Sequence, residues 1–382
     1  MVLFLNEELY LHVNLKKQRY RFMNKILNSI LLLSAYYIPV IAQPTEHWEL
    51  VRENNQKAFP TYVPAANYSG ITYLGGNHYA VVDDKSADDG FEMFAIVVDS
   101  LSGDIVSVEY EGHVAGSGAN RDQEGIAYMR GRNTLLVSGE ADNMIIEYDI
   151  DSRQTGRAVS LSKSAPNLGY EALAYSNSEH AIWTISESTL PIDGEVATPK
   201  NGLANRLRLQ KFTDGLQKEN EYLYMCETPS AKQASWKYAN GVSALAVLDD
   251  GSLLVLEREF YVPELYSGAF ALCRIYNVKP TFESMLKSSS ISEDVKPLEK
   301  QLVVEWKTTL SLFRTTLANY EGMCLGPVLN DGSQSIILIS DSQEQYGGVL
   351  KDWFKSVVVR KTSIEPQEEI QEAVESEEVD TI

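Results

Sequence analysis

One sequence pattern is repeated five times along this chain of 382 residues. Each copy has a short apolar strand that begins beside a small residue, a polar turn, and a second apolar strand that ends in polar or charged residues. The clearest copy runs from Asp122 to Glu140, and the other copies begin at Ser69, Glu171, Ser243 and Glu321. A repeated hairpin without a helical counterpart is typical of propellers and strand arrays. This pattern therefore limits the chain to an all-β repeat fold.

Two further strands are evident after each of the first two hairpins. They are Phe94–Val98 and Ile105–Val108 after the first copy, and Met144–Tyr148 and Ala158–Leu161 after the second. Four antiparallel strands per repeat are the anatomy of a propeller blade. We therefore predict an all-β propeller with five blades, or with six if a blade lies within an insertion. The two insertions follow the third and fourth hairpins and span Thr189–Asn205 and Lys279–Lys300.

The two ends of the repeat region each carry an unmatched strand. Trp48–Val51 stands alone before the first repeat, and Ser356–Val359 is the only strand evident after the fifth hairpin. The fifth blade is then short of an outer strand. We predict that these two segments pair and close the ring, because closure removes exposed sheet edges.

The N-terminal segment is predicted to be a signal peptide. A lysine precedes the apolar run Ile26–Ile38, and Ala42 provides the small residue expected at a cleavage site. The run is short for a membrane span and Pro39 follows it, so export is favoured over a stable membrane anchor. Residues 1–22 are interpreted as an upstream extension from a misplaced start. We expect a mature N-terminus at Gln43 and a secreted or periplasmic protein.

Composition and charge complete the domain organisation. Residues 1–42 hold the extension and signal peptide, residues 43–363 the propeller, and residues 364–382 a tail with eight acids and no base, which predicts disorder. The formal net charge of −20 argues against nucleic-acid binding, which needs clustered Lys and Arg. An acidic surface is compatible with cation binding.

Three cysteines lie within apolar strand patterns: Cys226, Cys273 and Cys324. An odd number cannot pair completely, so we interpret them as buried thiols. A single Cys226–Cys273 disulfide is the alternative.

The first strand of each blade lines the axis of a propeller, so equivalent positions at its start form a ring. The five positions are Ser69, Glu124, Glu171, Ser243 and Glu321. Three carboxylates at close range destabilise one another unless they are protonated or neutralised. Calcium takes six to eight oxygen ligands and would neutralise them, so we predict a Ca²⁺ site on the axis. The alternative is that the acids accept hydrogen bonds from backbone amides around a water-filled channel.

A second set of charged residues repeats at the ends of the second strands. The candidate catalytic residues of this set are Asp83, Asp84, Glu140, Glu187, Arg258 and Asp341. Strand ends on one face of a propeller commonly form its binding cleft. Positive charge from Arg258, Lys85 or Arg121 would suit an anionic substrate. The alternative is a solvated rim of charges.

Several catalytic motifs are absent from the sequence. There is no Gly-x-Ser-x-Gly elbow, no phosphate-binding P-loop and no dinucleotide fingerprint. Gly116-Ser117-Gly118 lacks the strand–turn–helix context that an elbow requires. Attack by a water molecule, assisted by a metal or a carboxylate, suits the residues that are present.

Parts of the repeats resemble the secreted bacterial phytase-like propellers, a family named for an esterase-like activity. The resemblance covers roughly residues 65–345. It rests on the segments Asp122–Ala127, Gly241–Leu245 with Leu254–Arg258, and Asn319–Met323 with Ile339–Asp341. It implies a secreted propeller that hydrolyses phosphoesters or carboxylic esters. This chain has Ser340-Asp341-Ser342 where family members often have Ser-Asp-Asn.

The order Ser, Glu, Glu, Ser, Glu at the ring positions is similar to the calcium ring of the five-bladed calcium-activated nucleotidases. The segment Tyr79–Lys85 also resembles their first blade. This likeness implies an axial metal and does not extend to nucleotide specificity.

Two functional hypotheses follow from the sequence. The first is a calcium-dependent hydrolase of phosphate or carboxylic esters, which takes a small anionic or ester substrate and acts as a monomer. The second is a non-catalytic secreted propeller that binds a ligand or partner, in which calcium only stabilises the fold.

Overall fold

The computed structural model describes residues 45–235, 237–311 and 314–364. Within these ranges the chain forms 22 strands and one short 3-10 helix, Tyr346–Gly348, and no α-helix. The prediction of an all-β fold is confirmed. Among the same residues, no helix has the length and apolar character needed to cross a membrane.

The chain divides into a large unit, His47–Thr362, and a small unit of Met1–Glu46 with Ser363–Ile382. The predicted signal peptide and upstream extension, residues 1–42, lie outside the described residues. So does the predicted acidic tail, apart from Ile364, which ends the last strand. The fold and the site below belong to the large unit.

Three of the sheets are built from four consecutive antiparallel strands each, as the repeat predicts. Blade 1 contains β3 (Tyr68–Gly75), β4 (His78–Asp83), β5 (Phe91–Val98) and β6 (Ile105–Val114). Blade 2 contains β7 (Gln123–Met129), β8 (Thr134–Gly139), β9 (Met144–Asp149) and β10 (Gln154–Ser160). Blade 3 contains β11 (Ala172–Ser176), β12 (Ala181–Ile185), β13 (Arg206–Thr213) and β14 (Lys218–Met225).

Blade 4 has longer strands than the first three blades. It contains β15 (Lys237–Val247), β16 (Leu253–Val262), β17 (Ala269–Val278), β18 (Lys300–Ser311) and the short β19 (Arg314–Thr315). The two insertions connect strands inside blades 3 and 4, between β12 and β13 and between β17 and β18. No strand lies in either insertion before β18 begins at Lys300, and the described residues form five sheets.

The fifth blade joins the two ends of the described chain. It contains β20 (Asn319–Val328), β21 (Gln334–Asp341) and β22 (Trp353–Ile364), and the N-terminal strand β1 (Thr45–Glu53) is its outermost strand. The short β2 (Lys57–Ala58) also pairs with β22. The N–H of Asn54 donates to the carbonyl of Ser356 at 3.1 Å. The predicted closure of Trp48–Val51 beside Ser356–Val359 is therefore confirmed.

The first strands of the five sheets contact one another in a closed ring, in the order β3, β7, β11, β15, β20 and back to β3. Glycines make this approach possible. A Cβ added at Gly70 would lie 2.5 Å from the carbonyl oxygen of Glu124, and one added at Gly322 would lie 2.4 Å from that of Ser69. Only glycine fits at such close backbone contacts. The sheets are therefore the blades of a β-propeller.

The spaces between adjacent blades are filled by the apolar side chains of the first and second strands. Between blades 4 and 5, for example, Leu254 and Leu256 pack with Ile336 and Leu338, all fully buried. Interiors of this kind are close-packed and stabilised by the removal of apolar surface from water. The three cysteines are buried and unpaired, so the interpretation as buried thiols is confirmed and the Cys226–Cys273 disulfide is not formed.

Candidate functional site

The strand register brings both sets of candidate residues to one end of the propeller. In an antiparallel pair the start of one strand lies opposite the end of the other. Tyr68 accordingly pairs with Asp83 in blade 1, and Asn319 pairs with Asp341 in blade 5. We call the acidic groups at this end the carboxylate cleft: Asp83, Asp84, Asp122, Glu124, Glu140, Glu171, Glu187, Glu321 and Asp341.

Local irregularities of the first strands set the orientation of the ring residues. The pairing of first and second strands shifts register at Ser69, Glu124, Ser243 and Glu321, in four of the five blades. A β-bulge of this kind bends the strand and redirects a side chain, and bulges are common beside active sites. In blade 3, Glu171 lies just before the first residue of β11. The side chains at the ring positions therefore do not follow the alternation between the two faces of the sheet that the rest of each strand shows.

Arg258 is the central cation of the carboxylate cleft. It lies within β16, is 3% exposed, and places its guanidinium among acids from two other blades. Nη1 donates to Oε1 of Glu321 at 3.0 Å, and Nη2 lies 3.4 Å from Oε2 of Glu171. Nη2 also donates to Glu187. Arginine suits this position because its fork of donors satisfies several carboxylates at once.

Asn319 extends this network within blade 5. Its Oδ1 accepts from Nη1 of Arg258 at 2.7 Å, and its Nδ2 donates to Oε1 of Glu321 at 2.7 Å. Asn319 was not among the site residues predicted from the sequence, although its pairing opposite Asp341 follows from the hairpin. Arg258 was expected at the end of a strand, beside an anionic substrate. It is instead mid-strand and buried, because β16 continues four residues further than the sequence pattern indicated.

The five predicted calcium ligands do not all face one free position. Glu171 and Glu321 are ion-paired to Arg258. The hydroxyl of Ser243 donates to the carbonyl of Tyr320 at 3.0 Å, and the side chain of Ser69 is hydrogen-bonded to Glu124. The space on the axis between Glu171 and Glu321 has a volume of about 10 Å³. That is close to the smallest volume that holds one water molecule.

A second group of carboxylates forms a better candidate metal site. One carboxylate oxygen from each of Asp84, Asp122 and Glu124 lies within 4.8 Å of the other two. Asp84 follows the end of β4, whereas Asp122 and Glu124 flank the start of β7. Asp122 adopts a left-handed backbone conformation, with a φ of 57°, which aspartate tolerates better than most residues. Asp122 was also not predicted as a site residue, although it begins the clearest copy of the repeat, Asp122–Glu140.

The donor set of this Asp84–Asp122–Glu124 group fits a hard divalent cation. Oxygen atoms of carboxylates are the preferred ligands of such cations. One oxygen of Asp84, Oδ1, is buried and has no hydrogen-bond partner among the described residues. Lys85 contacts two other oxygens of the group, with Nζ 2.8 Å from Oδ2 of Asp84 and 2.6 Å from Oδ1 of Asp122. Its side chain is 58% exposed and can move into solvent when a metal ion binds. The group can therefore hold a metal ion.

Burial and mutual repulsion raise the pKa values of the cleft acids. Burial raises the pKa of Glu124 well above its usual value, and the charges of Glu321 and Asp84 add to the effect. The same cause raises the pKa of Glu171 and of Glu321, although Arg258 opposes it in both. Carboxyls in this state bind protons or cations more readily than exposed acids do.

Glu140 stands out among the candidate catalytic residues. Burial, followed by the charges of Asp122 and Glu187, raises its pKa to about 7. Its Oε1 is buried without a hydrogen-bond partner among the described residues. The N–H of Glu140 donates to the carbonyl of Asp122 at 2.8 Å, which places the residue beside the Asp84–Asp122–Glu124 group. A pKa near neutrality is the value that suits a general base.

The other predicted catalytic residues shape the loops of the cleft or neutralise charge. Oδ1 of Asp83 accepts from the N–H of Lys85 at 2.9 Å, and Oδ1 of Asp341 accepts from the N–H of Gln343 at 2.6 Å. Both bonds are those of an aspartate that caps a tight turn. Burial raises the pKa of Asp83 to about 6 and that of Asp341 to about 7. Glu187 is bound to Arg258.

Comparison with known protein families identifies the chain. A family model described as phytase-like, esterase-like activity of phytase, matches residues 63–343. The chain belongs to this family. The match spans all five hairpins and the whole carboxylate cleft. No curated protein matches the sequence.

Solved structures provide distant matches that cover most of the chain. One is a member of the DUF4221 family from Bacteroides vulgatus, with 9% identity, a TM-score of 0.39, and coverage of 83% of this chain and 99% of the other. A luciferin-regenerating enzyme has 10% identity, a TM-score of 0.38, and coverage of 82% and 95%. A Trichoderma reesei carbohydrate-active enzyme of family AA12 has 9% identity, a TM-score of 0.36, and coverage of 85% and 98%.

Proposed function

We propose that this phytase-like propeller is an exported, calcium-dependent hydrolase of phosphate or carboxylic esters that acts from the carboxylate cleft. The observation that carries the proposal is the Asp84–Asp122–Glu124 group, in which a buried oxygen of Asp84 has no partner among the described residues. Glu140 lies beside this group with a pKa of about 7. Family membership supports a hydrolytic activity but leaves the substrate open.

Asp84, Asp122 and Glu124 would hold the calcium ion. With one oxygen from each, the three residues would fill three of the six to eight positions that calcium takes, so positions are left for water and for a substrate oxygen. When bound, the ion would polarise the phosphoryl or carbonyl group and lower the pKa of a bound water molecule. Lys85 would leave the two aspartates and turn its ammonium group toward solvent.

Glu140 would accept a proton from the attacking water. A base is most effective when its pKa lies near the working pH, because it is then ionised yet still basic. The charges of Asp122 and Glu187, together with burial, hold Glu140 in that range. The proton would move from the water oxygen to Oε1 of Glu140, which has no hydrogen-bond partner among the described residues. As the water oxygen bonds to the phosphorus or carbonyl carbon, the bond to the leaving ester oxygen would break, and that oxygen would take up a proton from Glu140 or from solvent.

Arg258 would keep three other acids of the cleft in place. By pairing with Glu171, Glu187 and Glu321 it holds them away from the Asp84–Asp122–Glu124 group. Glu171 and Glu321 on the axis would then have a structural role. The groups that take part in the reaction, the Asp84–Asp122–Glu124 group and Glu140, belong to blades 1 and 2.

A turnover assay on chelator-treated protein tests this function. The substrates are p-nitrophenyl phosphate, p-nitrophenyl acetate and a nucleoside diphosphate, each measured before and after calcium is added back. We expect turnover of at least one substrate only with calcium, and its loss in Asp122→Asn. The control is Asp151→Asn, which changes an acid with a 63% exposed side chain in the same blade. If calcium raises the melting temperature but no substrate is turned over, the protein is a binding propeller and the proposal fails.

The role of Glu140 has its own test. Glu140→Gln preserves the shape of the side chain but cannot accept a proton. We expect turnover to fall by about 10²–10⁴, the usual contribution of a general base, while calcium binding is retained. Equal turnover in this variant and the wild type would exclude Glu140 as the base.

A further inference from the structure

Residues of blade 4 and of the loop between β21 and β22 line a partly open apolar cavity. Its volume is about 400 Å³, which lies within the range of small-molecule sites. The described side chains that make its interior are almost all aliphatic or aromatic: Phe260, Val262, Leu310, Leu317, Val349 and Leu350. A buried apolar cluster packs along one side of the cavity and includes Phe260, Val262, Leu317 and Leu350. The cavity is therefore a space beside a core that is already packed.

Two segments of the chain lead from the cleft to the cavity wall. Arg258, Phe260 and Val262 occupy alternate positions of β16, so their side chains share one face of the strand. On the opposite wall, Gln343 lines the cavity two residues after Asp341. Two residues of chain span at most about 7 Å. Asp341 belongs to blade 5, which contacts blade 1, the blade that carries Asp84. A substrate whose ester lies at the Asp84–Asp122–Glu124 group would therefore need a chain of several carbons to reach the cavity.

A cation and an aromatic ring stand at the mouth of the cavity. Nζ of Lys237 lies 3.1 Å from Oε1 of Gln343 and 5.2 Å from the ring centre of Tyr346. Tyr346 is 49% exposed. An apolar interior with a positive charge at its entrance complements an amphipathic molecule that has an alkyl chain and an acidic or ester head.

The wall that carries Tyr346 has an uncommon backbone. Gln343, Glu344 and Gln345 are consecutive residues with φ values of 48°, 53° and 54°. Such left-handed runs are unfavourable for residues other than glycine and persist only where surrounding contacts hold them. Here Nε2 of Gln345 donates to Oδ2 of Asp352 at 2.8 Å. This hydrogen bond helps to hold the loop that forms one wall of the cavity.

We propose that this cavity binds the alkyl or acyl chain of an ester substrate whose scissile bond lies in the carboxylate cleft. This inference rests on the proposed hydrolase function and narrows its substrate to esters with an apolar chain. Each buried methylene group contributes about 0.8 kcal/mol, which is about fourfold in binding. We therefore expect kcat/KM to rise at least tenfold between p-nitrophenyl acetate and p-nitrophenyl octanoate.

A cavity-filling variant tests the site. Val262→Phe adds a ring inside the cavity, and Val349→Phe does the same from the more exposed loop, in case the first variant folds poorly. The matched control is Val106→Phe on blade 1, where the side chain is 59% exposed. We expect either filling variant to lower the octanoate-to-acetate ratio of kcat/KM at least fivefold, and the control to leave that ratio unchanged. An unchanged ratio in both folded filling variants would overturn the proposal.

A binding measurement separates this proposal from the proposed function. Octylphosphonate and methylphosphonate are titrated calorimetrically into the wild type and into Val262→Phe, with calcium present and no turnover involved. We expect at least tenfold tighter binding of octylphosphonate to the wild type, and loss of that advantage in the variant. If octylphosphonate binds more tightly but no ester is hydrolysed, the cavity is confirmed as a binding site for an apolar chain and the hydrolase proposal is rejected. If esters are hydrolysed with no chain-length preference and the two phosphonates bind equally, the hydrolase stands and the cavity proposal fails.

Discussion

Replacement of Arg258 by glutamine removes the guanidinium that neutralises Glu171, Glu187 and Glu321. Arg258 is almost fully buried, and its three partners have side chains that are 13%, 2% and 15% exposed. Water therefore cannot replace the lost charge at low cost. The variant leaves buried acids without a counter-ion, which is the strongly destabilising way to break a buried ion pair.

The magnitude follows from the burial and the size of the domain. Removing one partner of a buried pair costs about 3–5 kcal/mol. The large unit has about 320 residues, and an unfolding entropy of about 2.1 cal/mol/K per residue gives about 0.7 kcal/mol/K for the whole unit. The melting temperature of Arg258→Gln should therefore fall by about 4–8 °C at neutral pH.

The assay is thermal unfolding followed by circular dichroism between pH 5 and pH 8, with Arg153→Gln as the control. Arg153 has a 70% exposed side chain and pairs only at the surface, where such pairs contribute little. Low pH lets the unpaired acids take up protons. The decrease in melting temperature caused by Arg258→Gln should therefore become smaller toward pH 5. The role assigned to Arg258 would be refuted if Arg258→Gln lowers the melting temperature no more than Arg153→Gln does. It would also be refuted if the decrease does not change with pH.

Three further predictions concern pH, closure and export. The pKa of about 7 for Glu140 and Asp341 lies above the usual value, so the folded state binds more protons than the unfolded state between about pH 4 and pH 7. The melting temperature of calcium-free protein should then fall as pH rises from 5 to 8, and saturating calcium should flatten this slope; a rise would contradict the raised pKa values. Deletion of residues 43–55 removes the outer strand of blade 5 and should lower the melting temperature, whereas an unchanged melt would reject the closure. N-terminal sequencing of exported protein should give Gln43, and an intact Met1 or Met23 terminus would exclude the signal peptide.

The fold could be predicted from the sequence because the hairpin repeats leave a local signal. Each copy carries its own strand periodicity and turn residues, so no long-range contact is needed to recognise it. The unmatched strand at Trp48–Val51 revealed the closure for the same reason. The limits of blade 4 were less visible, because β15 begins at Lys237, six residues before the predicted ring position Ser243.

The candidate site could be predicted only in part. The sequence located the ring and strand-end residues at one end of the propeller, because antiparallel register alone brings Tyr68 opposite Asp83. It could not show that Arg258 reaches across to blades 3 and 5, because this depends on side-chain length and on where β16 ends. Nor could the sequence show that Glu124 has a different role from Glu171 and Glu321, since the three hold equivalent positions in the repeat. Partners from neighbouring blades decide which acid is free to bind a cation.

A calcium titration of chelator-treated protein by isothermal calorimetry tests the central claim most directly. The wild type, Asp122→Asn and Glu171→Gln are compared under the same conditions. Because Asp122 belongs to the Asp84–Asp122–Glu124 group and Glu171 is bound to Arg258, we predict that the wild type binds calcium, that Asp122→Asn loses this binding and that Glu171→Gln retains it. No binding to the wild type, or binding that Glu171→Gln abolishes and Asp122→Asn leaves intact, would contradict the account.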